Sequence, residues 1–87
     1  SQGRDVFLRC RDHLIEHYPH ITGITAAAKA CHVAPEYFSR LFRRHAGQTA
    51  QNFLTGLRVN HAAKLLQSTN LTIQAVGRTV GLPDPYH

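Results

Sequence analysis

The sequence predicts an all-α fold in which two helix-turn-helix units are joined by a long connecting helix, and three observations carry that expectation. Apolar residues recur at helical spacing in every segment, Pro, Gly and Thr stand where helices would begin and end, and the second half repeats the first at a displacement of 49 positions. The acceptable size is small: 87 residues and 9.7 kDa allow one shared core or two very small ones.

The first helix is expected over Asp5–Tyr18, where Val6, Phe7, Cys10, Leu14 and Tyr18 keep the helical period and Pro19 ends it. A short second helix follows from about Ile24 to Cys31, its alanines at 26, 27, 28 and 30 permitting close approach of a neighbour. His32-Val33-Ala34 makes a tight turn, and Pro35 opens a third helix because its missing N–H would have no intrahelical partner there. That helix runs to about Ala46, and Gly47 supplies its C-terminal cap. Thr49 caps a fourth helix to Ser68, with Phe53, Leu54, Leu57, Ala62, Leu65 and Leu66 in period and Gly56 as a weak point. Thr72 caps a fifth through about Val80, and Gly81-Leu82-Pro83-Asp84-Pro85 reads as a turn opening a sixth.

The repeat aligns Ile24 with Ile73, Ala27 with Val76, Lys29 with Arg78, Cys31 with Val80 and Val33 with Leu82; one inserted turn residue then pairs Pro35 with Pro85. The expected organisation is residues 1–4 as linker or cloning remnant, 5–48 as the first helix-turn-helix unit, 49–68 as the connecting helix and 69–87 as the start of an incomplete second unit.

Composition narrows the function. No apolar run approaches the ~20 residues that span a bilayer, and the N-terminal Ser-Gln-Gly lacks the layout of a secretion signal, so a soluble cytoplasmic protein is expected. Cys10 and Cys31 lie at apolar positions without further cysteines to make a zinc pattern, and are expected as free buried thiols. The net charge is +5, and its distribution matters more: Asp5, Asp12, Glu16 and Glu36 precede Tyr37, and the next acid is Asp84. Between Glu36 and Asp84 the stretch carries Arg40, Arg43, Arg44, Arg58, Lys64 and Arg78 and no carboxylate, a distribution expected of a surface that meets polyphosphate.

In a helix-turn-helix the second helix lies in the major groove, so it needs one apolar face and one polar, basic face. Pro35–Ala46 has both. With Phe38, Leu41 and Phe42 inward, Glu36, Ser39, Arg40, Arg43 and Arg44 turn outward. Glu36, Ser39 and Arg40, nearer the N-terminus, are placed to read base edges, Arg40 as a bidentate fork on guanine; Arg43 and Arg44 are placed for phosphates. Two such units on a ~30 Å rod nearly match the ~34 Å between successive major grooves.

The run Ala34-Pro35-Glu36-Tyr37-Phe38-Ser39-Arg40-Leu41-Phe42-Arg43-Arg44-His45-Ala46-Gly47, followed by Phe53-Leu54, Leu57-Arg58-Val59-Asn60-His61-Ala62, Leu65-Leu66 and Val80-Gly81-Leu82-Pro83-Asp84-Pro85-Tyr86, resembles the C-terminal domain of AraC/XylS-type transcriptional regulators. The resemblance implies a seven-helix DNA reader of two homeodomain-like three-helix units, found in bacteria and attached to an effector-sensing or dimerisation domain. It implies base reading by Glu36, Ser39 and Arg40, and backbone contacts by Arg43 and Arg44, to which His61 and Tyr86 are added as phosphate contacts. Double-stranded promoter DNA is the implied partner, with RNA polymerase a second candidate, an effector bound only through another domain, and no cofactor. Ala34, Ala50, His61 and Gly77 depart from the residues the family favours there. Since the family's second reading helix continues beyond the position of His87, a longer chain is expected to bind DNA more tightly.

Two other readings compete with this one. His13-Leu14-Ile15-Glu16-His17 matches the H-x-x-E-H pattern of some zinc peptidases, but a third ligand and a substrate cleft find no room in 87 residues of small helices. Neither a Gly-rich phosphate loop nor a nucleophile with its base is apparent, so no enzyme is expected. A helical protein-interaction or RNA-binding module is the alternative function.

Overall fold

The computed structural model describes residues 1–84. Among them are five α-helices and no strand: α1 (Gln2–His17), α2 (Ile24–Ala30), α3 (Pro35–Ala46), α4 (Ala50–Ser68) and α5 (Ile73–Val80), with a 3₁₀ turn at Tyr18–His20. No helix of the described residues is long and apolar enough to cross a membrane. The expected sixth helix lies outside the described residues.

Local chemistry sets each boundary. The Ser1 hydroxyl accepts from the Arg4 N–H at 3.2 Å, so α1 starts three residues before the expected Asp5. Residues 1–4, expected as a linker, are thus the cap and first turn of a helix. At its other end the helix stops at His17, and Pro19 sits inside the 3₁₀ turn. α2 ends at Ala30, one residue short of the expectation, because Cys31 is its cap. Pro35 and Gly47 bound α3 as anticipated, Gly47 in the left-handed region at φ 69°. Thr49 and Thr72 cap α4 and α5 by accepting from Asn52 N–H at 3.0 Å and Ala75 N–H at 3.1 Å.

The main core joins α1, α2 and α3. Phe7, Cys10 and Leu14 face Phe38, Leu41 and Phe42, while Ala27 and Ala28 present only methyl groups and let α2 lie close. Phe42 is the hub: its ring meets Phe7 edge-on at 5.0 Å, Phe38 at 4.9 Å and Phe53 of α4 at 5.3 Å. Cys10 and Cys31 are free and buried, and burial first, then the neighbouring Cys31 thiol, push the Cys10 pKa up to about 12, which keeps it protonated.

α5 packs on α4 and on the 3₁₀ turn, burying Leu54, Val76 and Val80. The two helix-turn segments share one backbone hydrogen bond as well as their apolar pattern. Val33 N–H donates to Ala28 C=O at 3.0 Å after α2, and Leu82 N–H donates to Gly77 C=O at 2.9 Å after α5, the same positions displaced by 49. Both turns also use the left-handed region at equivalent residues, His32 at φ 59° and Gly81 at φ 88°.

Candidate nucleic-acid interface

α3 is a 12-residue helix with its apolar face fully committed: Phe38 and Phe42 are completely buried and Leu41 nearly so. That commitment fixes its rotation. Glu36, Arg40, Arg43 and Arg44, spaced one to two turns apart, are exposed on the opposite side, and Ser39 is half-buried at the flank. Arg40 holds its guanidinium 5.6 Å from the centre of the Tyr37 ring, a cation–π contact along the same helix. Arg43 and Arg44 extend from the last turn, and neither they nor Arg40 form an ion pair among the described residues. Three guanidinium groups on one rigid face, with Glu36 as its one acid, offer planar donor forks that suit phosphate oxygens and the major-groove edge of guanine.

The helix is braced from behind. Arg9 of α1 donates to the Cys31 carbonyl at 2.9 Å, pinning the turn that precedes α3, and the Phe7 ring stacks on His45 at 5.2 Å. Pro35 starts α3 without a side-chain cap, since Ala34 has no oxygen to offer.

The other expected residues stand elsewhere. His61 is half-buried on α4, where its Nδ1 shares a hydrogen bond with the Tyr18 hydroxyl and its ring meets Tyr18 edge-on at 5.8 Å. Tyr86 lies outside the described residues. Arg58, grouped by sequence with the polyphosphate-facing cations, is turned inward instead: its guanidinium donates to Tyr18 C=O at 2.9 and 3.2 Å and to Ile21 C=O at 2.6 Å. It is a structural strut between α4 and the segment joining α1 to α2, a role sequence reasoning did not assign.

On the far end of α1, the two histidines of the H-x-x-E-H pattern stand side by side, ring centres 4.7 Å apart. Burial, followed by the neighbouring His17, lowers the His13 pKa below its usual value, with Glu16 opposing. Among the described residues no group of three or more His, Cys, Asp or Glu side chains is arranged to hold a metal ion.

Comparison with known proteins agrees with this geometry. A family model described as a helix-turn-helix domain matches residues 27–87. The uncharacterized helix-turn-helix transcriptional regulator YisR of Bacillus subtilis is 34% identical over 73 residues, covering 84% of this chain and 25% of that protein. The arabinose operon regulatory protein of Salmonella typhimurium is 32% identical over 84 residues, covering 97% of this chain and 29% of its own length. The chain therefore spans between a quarter and a third of these relatives. Among solved structures, the C-terminal domain of AraT, a response regulator from Geobacillus stearothermophilus, superposes with a TM-score of 0.82 at 30% identity, covering 88% of this chain and 64% of that one. A braced helix with an exposed arginine face, the match over residues 27–87 and the shared fold place this chain in the AraC-type helix-turn-helix family, as a DNA-binding domain.

Proposed function

We propose that the chain reads duplex DNA in a sequence-specific way by laying α3 in the major groove. Glu36, Ser39 and Arg40 meet base edges there, and Arg43 and Arg44 grip the flanking phosphates. The observation that carries this reading is the exposed Glu36–Arg40–Arg43–Arg44 face on a helix whose opposite side is locked into the core. Arg40, steadied over Tyr37, loses less freedom on forming a fork with guanine than a free side chain would.

The matching turns after α2 and α5 support a second reading unit, with the segment after Gly81 entering the next groove. α4, 19 residues and about 28 Å long, supplies a spacing close to the ~34 Å between successive major grooves. His61, whose Nδ1 is engaged with Tyr18, contributes a phosphate contact through Nε2, and Tyr86 contributes another. The domain acts in the cytoplasm as a promoter-binding, non-catalytic part of a larger regulator, whose effector binds a separate domain and whose bound form engages RNA polymerase.

Selection from a random duplex pool, with sequencing of the bound fraction at two salt concentrations, tests the reading. Enrichment of two boxes about one helical turn apart, with affinity falling steeply as salt rises, is the expected outcome. Salt-dependent binding without enrichment would remove the base-reading roles. Preference for structured RNA over every duplex would replace the proposal with an RNA-binding one.

A further inference from the structure

His13 and His17 are four residues apart on α1 and so share one face of the helix. Their ring centres are 4.7 Å apart. An imidazole nitrogen binds a divalent transition metal at about 2.0–2.1 Å, which puts the ring centre about 3.2 Å from the ion, so two rings on one ion lie about 4.5 Å apart at a right angle and about 5.2 Å apart at a tetrahedral angle. The observed separation falls between those limits. The ring centres thus stand at a separation that one shared ion allows, without the helix having to bend.

The surroundings suit an ion as well. Both histidines line a recess of about 220 Å³, together with His20 of the 3₁₀ turn, Ile21 and Thr22 after it, and Ala26, Ala27 and Ala30 of α2. The alanine methyl groups leave space for water ligands, each of which takes about 30 Å³. The Glu16 carboxylate lies 3.8 Å from Nε2 of His17, adding negative charge at the same edge. No third His, Cys, Asp or Glu completes a cluster among the described residues, so water would fill the remaining positions.

We propose that His13 and His17 form a two-imidazole chelate for a divalent transition-metal ion at the C-terminal end of α1. Imidazole pairs follow the Irving–Williams order, so Cu²⁺ is held most tightly, with Ni²⁺ and Zn²⁺ weaker. The site is independent of the arginine face of α3. Because an ion joining positions 13 and 17 binds the helical form and not the extended chain, occupancy also raises the melting temperature.

Cu²⁺ titrated into the protein in a non-coordinating buffer, followed by calorimetry and electron paramagnetic resonance, decides the matter. The expected result is a saturable one-to-one complex whose spectrum shows imidazole nitrogen ligands. His13→Ala and His17→Ala should each lower the affinity by about tenfold or more, since each removes the intramolecular second contact. His45→Ala, on α3, should leave it unchanged. His17 has a side chain 52% exposed, so its substitution tests the site without disturbing the core. Wild-type affinity in His17→Ala, or the absence of saturable one-to-one binding, would overturn the proposal.

Discussion

Arg40 and Arg43 are both exposed arginines on one helix, yet they are held differently, and the difference predicts different losses. Arg40 rests over Tyr37 near the middle of the helix, whereas Arg43 extends from the last turn without an ion-pair partner among the described residues. Arg40→Ala should cost about 1–3 kcal/mol of binding and relax the preference at one base position. Arg43→Ala should weaken binding to every sequence about equally and reduce the salt slope by about one. Fluorescence anisotropy on the selected site and on a scrambled duplex, at several salt concentrations, separates the two; an unchanged preferred site in Arg40→Ala would mean that the reading register on α3 is wrong. The arginine face was legible because Phe38, Leu41 and Phe42 fix the helix rotation and leave positions 36, 40, 43 and 44 outside. Arg58 was misread although its phase carried the warning. It follows the fully buried Leu54 by four residues, so it shares that inward face, where a cation must find carbonyl oxygens.

Elements with chemical signals at both ends were the most legible ones. Pro35 with Gly47, and Thr49 and Thr72 as caps, located α3 to α5 because a cap satisfies backbone groups locally and leaves a local mark. The start of α1 was less legible, since Gly3 disfavours helix and hides the Ser1 cap. Packing settles it: a Cβ at Gly3 would lie 3.6 Å from the Tyr37 hydroxyl and 3.8 Å from Leu41, so the first turn of α1 lies against α3. No sequence pattern near residue 3 reports that neighbour. Gly56 offers a test at this scale, because nothing lies within 4 Å of where its Cβ would be. Gly56→Ala should stabilise the domain by about 0.5–1 kcal/mol, seen as a higher urea midpoint with an unchanged slope.

Across the whole molecule, the relative placement of α4 and α5 on the first three helices had no sequence signature, because it depends on contacts between residues some 40 positions apart. The 3₁₀ turn is where those contacts meet. Arg58 and His61 reach it from α4, and α5 packs against it as well. Arg58→Met keeps much of the side-chain volume and removes the donors to Tyr18 and Ile21, leaving two carbonyls without that partner. It should cost about 2 kcal/mol in urea denaturation. On DNA, it should lower affinity for a two-box site more than for a single box, since the joint between the halves loosens while the α3 face stays intact. Equal losses on the two duplexes would show that the strut supports the fold without setting the spacing.

The two turns that share a backbone shape differ in what they tolerate. At His32 the demand is conformational, and residues that visit the left-handed region, such as Asn, satisfy it as well as Gly does. At Gly81 a Cβ would come within 2.6 Å of the Pro19 carbonyl oxygen, so even a residue content with the backbone angles meets a wall of main chain. In a saturation library scored for folding, position 32 should therefore admit a small alphabet and position 81 a single letter. One turn is then free to vary at its left-handed residue, while the other is held to glycine by the main chain at position 19.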